Sequence, residues 1–306
     1  MSAATVAPTT PYRGRFAPSP TGPLHMGSLL AACASYLRAR QAQGEWLLRI
    51  ENIDPPREMP GASDSFLHTL EAVGFEWHGS VVYQRDRIER YRSVVDALNQ
   101  QQTAYRCRCS RRDIQQAIAA QNGPESVYPG TCLGQPPNPD ESCNHRLNAG
   151  TDTLFFSDAL QGEQCITFGR DQGDFVIWRK DDLPSYQLAV TVDDLDQGIT
   201  EVVRGIDLLH ETAGQIVLRR HLSETQPDWM HIPVIVNSSG EKLSKQTAAP
   251  SLQTRRAAQH LCDALALLGL GIPSALRRAA VRDIWSYAIE HWEPNQLSGK
   301  EKVTLE

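Results

Sequence analysis

The sequence has 306 residues, of which 41% are hydrophobic and 22% charged, and its formal net charge is −6. These values are typical of a globular protein with two or three structural units, and the negative charge disfavours broad, nonspecific binding to nucleic acids. No apolar run could span a membrane, no signal peptide is visible, and seven scattered cysteines indicate a reducing compartment, so we expect a cytoplasmic protein.

The first motif is PSPTGPLHMGS at residues 18–28, a loop between a predicted strand at 12–17 and a predicted helix that Ser28 would cap. Apolar residues recur at helical spacing after Ser28. The start of a helix presents free N–H groups and a partial positive charge, which attract anions. His25 and Gly27 are therefore predicted to lie at an anion site.

A continuous apolar run at 46–50 follows this helix and is typical of a buried parallel strand. It completes a strand–helix–strand unit and places Glu51 at the carboxyl end of the strand, where open α/β sheets bind ligands. Because the loop does not contain G-x-G-x-x-G, we expect a mononucleotide bound through its phosphates rather than a dinucleotide.

Helices are predicted next at 62–73 and 85–101, whereas cysteine, proline and glycine accumulate in the segment that follows. Alternation at 186–205 predicts a strand, an acidic turn at 193–196 and a second strand. The later elements are a helix to about residue 221, a strand at 231–236, and helices between 251 and 292 with breaks near residues 269–273. The predicted units are a disordered tail at 1–10, the first half of an α/β catalytic domain at 11–103, an inserted small domain at 104–183, the second half of the catalytic domain at 184–236, and a loop with a helical tail at 237–306.

The segment SSGEKLSKQ at 238–246 follows the last predicted strand. Lys242 and Lys245 on a Gly/Ser loop can close over a triphosphate and stabilise the charge that grows as pyrophosphate leaves. His25 at the opposing helix start can hydrogen-bond the same phosphates. Taken alone, the two lysines fit a solvated loop equally well, and it is their pairing with PLHMG that favours nucleotide chemistry.

LHMG and KLSKQ resemble the HIGH and KMSKS signatures of the class I aminoacyl-tRNA synthetases. RFAPSPTGPLHMGSL and RIENIDPPR resemble the glutamyl branch, and the similarity over residues 12–250 is strongest to its short paralogues. This resemblance implies a Rossmann-like catalytic domain, split by a zinc-containing insertion and followed by a short helical C-terminal tail. Ser28 stands where HIGH ends in His, and Leu243 and Gln246 replace the Met and the final Ser of KMSKS. Because the lysines are kept, we expect some weaker contacts rather than lost activity.

The resemblance also implies the substrate sites. Arginine side chains can pair with the carboxylates of an amino acid, a carboxylate can accept from its ammonium group, and a phenol can donate a hydrogen bond. Taken singly, each of these residues also fits a surface or core position. The implied L-glutamate site comprises Arg15, Phe16, Ala17, Pro18, Ser19, Glu51, Tyr186 and Arg204. The implied ATP contacts are His25, Gly27, Ser28 and Lys245, with Mg²⁺ entering with ATP, and the implied catalytic residues are His25, Lys242 and Lys245.

Cys107, Cys109 and Cys132 form a candidate zinc site, since two thiolates one residue apart and a third from a distant loop suit tetrahedral Zn²⁺. The residues alone leave the fourth ligand open among Tyr128, Cys143 and His145, and free thiols are the simpler alternative. The resemblance implies Tyr128. An arginine cluster beside the site is a candidate for RNA phosphate contacts, and it comprises Arg106, Arg108, Arg111 and Arg112.

The implied function is activation of L-glutamate by ATP to glutamyl-adenylate and transfer to queuosine at the wobble position of tRNA(Asp). Sixty residues follow Gln246, whereas a glutamyl-tRNA synthetase would continue into a large anticodon-binding domain, so we expect queuosine rather than the tRNA 3′ end as acceptor. The alternatives are a truncated glutamyl-tRNA synthetase that charges a 3′ end and an inactive, zinc-stapled RNA-binding module. We expect no membrane and no obligate protein partner.

Overall fold

The computed structural model describes residues 11–121, 123–124, 127–237, 239–241 and 251–304. The predicted N-terminal tail lies outside these residues, as do Lys242, Leu243, Lys245 and Gln246 of the KLSKQ motif. None of the helices in the described part of the chain is long and apolar enough to cross a bilayer.

The N-terminal part forms the predicted strand–helix–strand unit. Strands β1 and β2 are parallel, with Arg15 beside Leu47, and the short strand β3 extends the sheet on the other side of β2. The elements are β1 (Arg13–Phe16), α1 (Met26–Gln41), β2 (Glu45–Ile50), α2 (Ala62–Ala72), β3 (Val82–Tyr83) and α3 (Ile88–Gln100). Helix α1 is buried on most of its surface because it packs between the sheet and the C-terminal helices.

The segment predicted as an insertion contributes to two different sheets. Its elements are β4 (Ala104–Cys107), α4 (Arg111–Gln121), β5 (Asn144–Leu147), β6 (Thr153–Asp158), β7 (Gly162–Thr167) and β8 (Phe175–Trp178). Strands β4, β5 and β8 form an antiparallel sheet of their own, whereas the β6–β7 hairpin joins the sheet of the following segment. The insertion boundaries at 104–183 therefore stay a prediction, and the hairpin connects this segment directly to the sheet of the next one.

The next elements are α5 (Tyr186–Asp196), β9 (Glu201–Gly205), α6 (Thr212–Arg220), β10 (Asp228–Ile232) and β11 (Val234–Val236). The strand and acidic turn predicted at the start of this segment are wrong, because residues 186–196 are helical. The Ser185 hydroxyl accepts a hydrogen bond from the Leu188 N–H at 3.2 Å and caps this helix. Asp193 and Asp194 are consequently buried on a helix instead of solvated in a turn.

Two helices close the fold, α7 (Ala257–Leu267) and α8 (Val281–His291), and the predicted break between them is confirmed: Gly269 has a φ of +87°. Strand β12 (Lys302–Thr304) pairs in parallel with β11. The core between these helices and α1 contains the aromatic rings of Tyr36, Trp46, Phe75 and Trp285, whose centroids lie 4.7–5.2 Å apart for each contacting pair. This packing fixes α1, and with it the loop that precedes the helix.

Candidate active site and metal centre

A cavity of about 1480 Å³ opens at the carboxyl ends of β1, β2 and β9 and continues to the insertion. Its walls bring together the described residues predicted for both substrates: Arg15, Phe16, Ala17, Pro18, Ser19, His25, Gly27, Ser28, Glu51, Tyr186 and Arg204. Since the residues come from four separate parts of the chain, the fold assembles them as one site. The lysines of the KLSKQ motif lie outside the described residues.

The start of helix α1 forms one wall of the cavity. The predicted N-cap, Ser28, is wrong, because His25 takes that position and its Nδ1 accepts a hydrogen bond from the Gly27 N–H at 3.1 Å. An accepting Nδ1 leaves the imidazole proton on Nε2, which lies 3.3 Å from the Ser28 hydroxyl. His25 can therefore donate from Nε2 toward an anion at the positive end of the helix.

Arg15 lies at the base of the cavity and is held by Asp194. Its Nε and Nη2 donate to the two carboxylate oxygens at 3.1 and 3.3 Å, and Nη1 donates to the Val203 carbonyl at 3.3 Å. The two bonds to Asp194 occupy one edge of the guanidinium, and the three bonds together leave one further proton on each terminal nitrogen. Burial raises the pKa of Asp194 less than Arg15 and Arg49 lower it, so the net shift is downward and the group is ionised.

Arg49 is fully buried behind the cavity and connects three carboxylates. It contacts Asp194 at 2.8 Å, Glu51 at 3.4 Å and Asp193 at 3.6 Å. Burial raises the pKa of Glu51, while Arg49 and Arg15 oppose that shift. The sequence analysis missed Asp194 and Arg49. In the sequence, Arg49 is a charged residue inside an apolar run, and Asp193 and Asp194 directly follow an apolar stretch. Charged residues in such positions indicate a buried ion pair.

Arg204 is fully buried at the end of β9 and has a different environment. Its hydrogen bonds go to His231 Nε2 at 3.0 Å, to Gln215 and Thr212 at 2.9 Å each, and, at longer distances, to the Leu208 carbonyl and the Tyr186 hydroxyl. All of these acceptors are neutral. Burial lowers the pKa of Arg204, yet a guanidinium stays charged in proteins. A buried cation whose hydrogen bonds go to neutral groups favours an anionic ligand.

The predicted metal ligands also come together. The Sγ atoms of Cys107, Cys109 and Cys132 lie within 4.8 Å of one another, and the Tyr128 hydroxyl lies 3.3 Å from Cys107 Sγ and 3.4 Å from Cys109 Sγ. Zn–S bonds of about 2.3 Å place sulfur atoms about 3.8 Å apart at the corners of a tetrahedron. The four side chains therefore match in spacing and chemistry what Zn²⁺ requires.

The alternatives for a fourth ligand are separated from this cluster. His145 Nδ1 bonds to the Asn99 side chain at about 3.0 Å, and Cys143, although it lines the same cavity as Cys107 and Cys109, does not belong to the group of three sulfur atoms. Arg146 donates to Cys107 Sγ at 3.2 Å, and its guanidinium lies 3.9 Å from the centre of the Tyr128 ring. Arg146 therefore packs directly against the cluster.

The four arginines of the cluster lie in three different environments. Arg106 donates to the carbonyls of Asn138 and Glu141 and thus holds the loop that follows Cys132. Arg108 and Arg111 line the cavity, whereas Arg112 is exposed outside the lining. Arg179 and Lys180 also line the cavity at this end, and the sequence analysis missed them because nothing in their local pattern marks them as near the catalytic loops.

Residues 12–269 match the family model for class I tRNA synthetases of the glutamate and glutamine type, catalytic domain. The chain belongs to this family. It is thus a class I synthetase with the α/β catalytic fold of that class, and the predicted family is confirmed.

The chain is 51% identical over 285 residues to a glutamyl-Q tRNA(Asp) synthetase of Dechloromonas aromatica, covering 92% of this chain and 94% of the relative. It is 49% identical to the protein of the same name from Chromobacterium violaceum, covering 94% and 95%. A solved glutamate tRNA ligase of Elizabethkingia meningosepticum, in complex with its amino acid, superposes with a TM-score of 0.78 at 21% identity, covering 97% of this chain and 67% of the ligase. At this identity, the structural similarity shows the fold.

Proposed function

We propose that this synthetase activates L-glutamate with ATP and transfers the glutamyl group to queuosine in tRNA(Asp). The relatives named glutamyl-Q tRNA(Asp) synthetase share about half of their residues with the chain over almost its whole length. The observation that carries the proposal is one cavity that holds a buried cation, Arg204, and a buried carboxylate, Glu51. A zwitterionic amino acid with a second carboxylate needs both kinds of group.

Each end of the amino acid has a candidate partner in this cavity. Arg204 takes one carboxylate, assisted by the Tyr186 hydroxyl, and the terminal nitrogens of Arg15 supply further donors. Glu51, held by Arg49, accepts from the ammonium group. Phe16, Ala17, Pro18 and Ser19 supply the wall beside β1.

The ATP site is proposed at the start of α1. The Ser28 N–H, the Gly27 backbone and His25 Nε2 are the proposed phosphate contacts, although the Gly27 N–H is bonded to His25 Nδ1 and His25 Nε2 lies 3.3 Å from the Ser28 hydroxyl before ATP binds. Lys242 and Lys245 are proposed to neutralise the leaving pyrophosphate, with Mg²⁺ bound to the triphosphate. Activation then consists of in-line attack by the α-carboxylate of glutamate on the α-phosphorus, which releases pyrophosphate.

A structural Zn²⁺ held by Cys107, Cys109, Tyr128 and Cys132 is proposed for the insertion, where it would cross-link the end of β4 to the loop containing Tyr128 and Cys132. Such a loop-rich segment buries few apolar side chains, and a metal supplies the cohesion that a small core does not. The division of the catalytic domain into 11–103 and 184–236 around this insertion is part of the same proposal.

The acceptor RNA is proposed to enter at the insertion end of the cavity. Arg108, Arg111, Arg179 and Lys180 line that end and are the candidates for phosphate contacts. They revise the earlier assignment, because Arg106 is engaged with backbone carbonyls and Arg112 lies outside the lining. Unpaired anticodon bases are the usual targets of sequence-specific RNA recognition, and queuosine carries a cis-diol that resembles the terminal ribose.

The deciding experiment offers radiolabelled glutamate and ATP with two preparations of tRNA(Asp). We expect labelling of tRNA(Asp) whose 3′ adenosine has been removed, and none of tRNA(Asp) from cells that cannot make queuosine. Labelling that requires the 3′ adenosine and ignores queuosine would instead establish charging of a 3′ end. Failure of glutamate-dependent ATP–pyrophosphate exchange, with and without tRNA, would favour the inactive RNA-binding module.

A further inference from the structure

Three strands place a buried chain of polar side chains beneath the cavity. His231 on β10 lies beside Arg204 on β9, and β6 runs along the other side of β10 and ends at Asp158. His231 and Asp158 are 0% and 2% exposed. His231 Nδ1 lies 2.6 Å from Asp158 Oδ2, and its Nε2 lies 3.0 Å from Arg204 Nε. The chain runs Asp158–His231–Arg204 and reaches the cavity at Arg204.

The hydrogen bonds allow one protonation state of His231. Arg204 Nε always carries a proton, so His231 Nε2 must accept. The single proton of a neutral imidazole is then on Nδ1, where it is donated to Asp158. The other oxygen of Asp158 accepts from the N–H groups of Leu160, Gln161 and His231, which fixes the carboxylate in place.

Two uncharged side chains also lie beside His231. The Thr212 hydroxyl on α6 lies 3.3 Å from Nε2, and the Trp229 ring stacks on the imidazole at 6.4 Å. Burial, together with the charges of Arg204 and Arg15, lowers the pKa of His231 more than Asp158 raises it. A protonated His231 would lose its acceptor and place a second positive charge beside Arg204.

We propose that Asp158 and His231 are positioning residues for glutamate binding: Asp158 selects the Nδ1–H tautomer of His231, and His231 Nε2 then orients the guanidinium of Arg204 toward the cavity. The inference rests on the proposed function, since it assumes that Arg204 binds a carboxylate of glutamate. Neither Asp158 nor His231 lines the cavity, so both act through Arg204 and not on the substrate.

The tautomer is tested first on the unmodified protein. In the full chain labelled with ¹⁵N-histidine, two-bond ¹H–¹⁵N correlation spectra should show His231 as the neutral Nδ1–H form at pH 7, assigned by loss of the signal in His231→Gln. An Nε2–H or doubly protonated His231 would overturn the proposal. This measurement needs no catalytic activity, so its outcome is independent of the proposed function.

Asp158→Asn tests the role of the carboxylate. The amide oxygen can keep the backbone hydrogen bonds, but the amide nitrogen would donate to Nδ1 and shift the imidazole proton to Nε2, against Arg204 Nε. Two donors that face each other in a buried site leave both unsatisfied, and we expect the KM for glutamate to rise about tenfold or more in ATP–pyrophosphate exchange. The KM for ATP should change by less than about twofold. An equal rise in both KM values would indicate a general structural role and contradict the assignment.

His231→Gln and His231→Leu distinguish the hydrogen bond that His231 accepts from Arg204 from the volume that its side chain fills. The Gln side chain can place an oxygen near the position of Nε2 and should restore the KM for glutamate to within a few-fold of the parent, whereas Leu should not. His221→Gln is the matched control, since His221 caps the C-terminus of helix α6 and is not among the hydrogen-bond partners of Arg204. If Leu and Gln give the same KM for glutamate while the parent exchanges normally, His231 does not orient Arg204. If the parent itself does not exchange, the proposed function fails and the tautomer result stands alone.

Discussion

Asp194 holds Arg15 through two hydrogen bonds of 3.1 and 3.3 Å, and both side chains are about 95% buried. The same carboxylate contacts Arg49 at 2.8 Å. Arg15 therefore faces the cavity with its charge largely balanced, whereas the hydrogen bonds of Arg204 go to neutral acceptors. Of the two arginines, Arg204 is therefore the one proposed to bind a substrate carboxylate, whereas the charge of Arg15 is already balanced by Asp194.

Asp194→Asn should destabilise the fold as well as weaken glutamate binding. The change leaves two buried guanidinium groups with one counter-charge fewer, and breaking such a pair costs about 3–5 kcal/mol. Urea unfolding should show this loss, and Asp196→Asn, a change at an exposed pair on the same helix, should cost less than about 1 kcal/mol. Equal losses in the two variants would contradict the role of burial.

The same pair predicts how stability depends on pH. The pKa of Asp194 is lower in the folded protein than in the unfolded chain, so the carboxylate stabilises the fold above its unfolded pKa. That contribution is lost as the pH falls through the folded pKa. The free energy of unfolding of the parent should fall in acid more steeply than that of Asp194→Asn, and parallel curves would rule out this source of acid sensitivity.

Lys245→Ala should lower the kcat of glutamate-dependent ATP–pyrophosphate exchange by about 10²-fold or more, because the lysine is proposed to stabilise the leaving pyrophosphate. The KM for glutamate should stay nearly constant. Lys180→Ala removes a lysine from the far end of the cavity and serves as the control for this partial reaction. Exchange at the parental rate in the Lys245 variant would remove Lys245 from the catalytic residues.

One zinc ion per chain is expected by metal analysis, and Cys107→Ser should release it. Tyr128→Phe is the sharper test because it keeps the ring against Arg146 and removes only the oxygen that lies 3.3 Å from Cys107 Sγ. We expect weaker zinc retention in competition with a chelator. Cys143→Ser is the matched control. If Cys143→Ser loses zinc and Tyr128→Phe retains it, the fourth ligand is Cys143 and not Tyr128.

Arg111 and Arg112 are adjacent in sequence, yet only Arg111 belongs to the described lining of the cavity. Arg111→Ala should therefore lower kcat/KM for tRNA by several-fold and reduce its salt dependence, since each lost phosphate contact lowers the salt slope by about one. Arg112→Ala should have a smaller effect, and glutamate-dependent exchange should be normal in both. Equal effects on tRNA would place the RNA on the outer surface of the insertion.

The local sequence determined the first strand–helix–strand unit, because proline, glycine and continuous apolar runs act on their own neighbours. The sequence also predicted Cys107, Cys109 and Cys132 as a candidate group, since two thiolates one residue apart and a third from a distant loop suit tetrahedral Zn²⁺, and the fold brings their sulfur atoms within 4.8 Å of one another. The resemblance to the synthetases contributed the distant pairs, such as Glu51 with Arg204, that spacing alone does not connect.

Tertiary structure decided the parts that depend on burial and on strand order. Residues 186–196 alternate like a strand, yet they form a helix because its apolar face packs against α6 and β8 and its acidic residues meet Arg15, Arg49 and Arg87. Nothing near Asp158 or His231 in the sequence links either residue to Arg204. Parallel pairing of β10 with both β6 and β9 puts the three side chains in contact, and a hydrogen-bonded chain of that kind depends on which strands are neighbours, a property that no local stretch of sequence encodes.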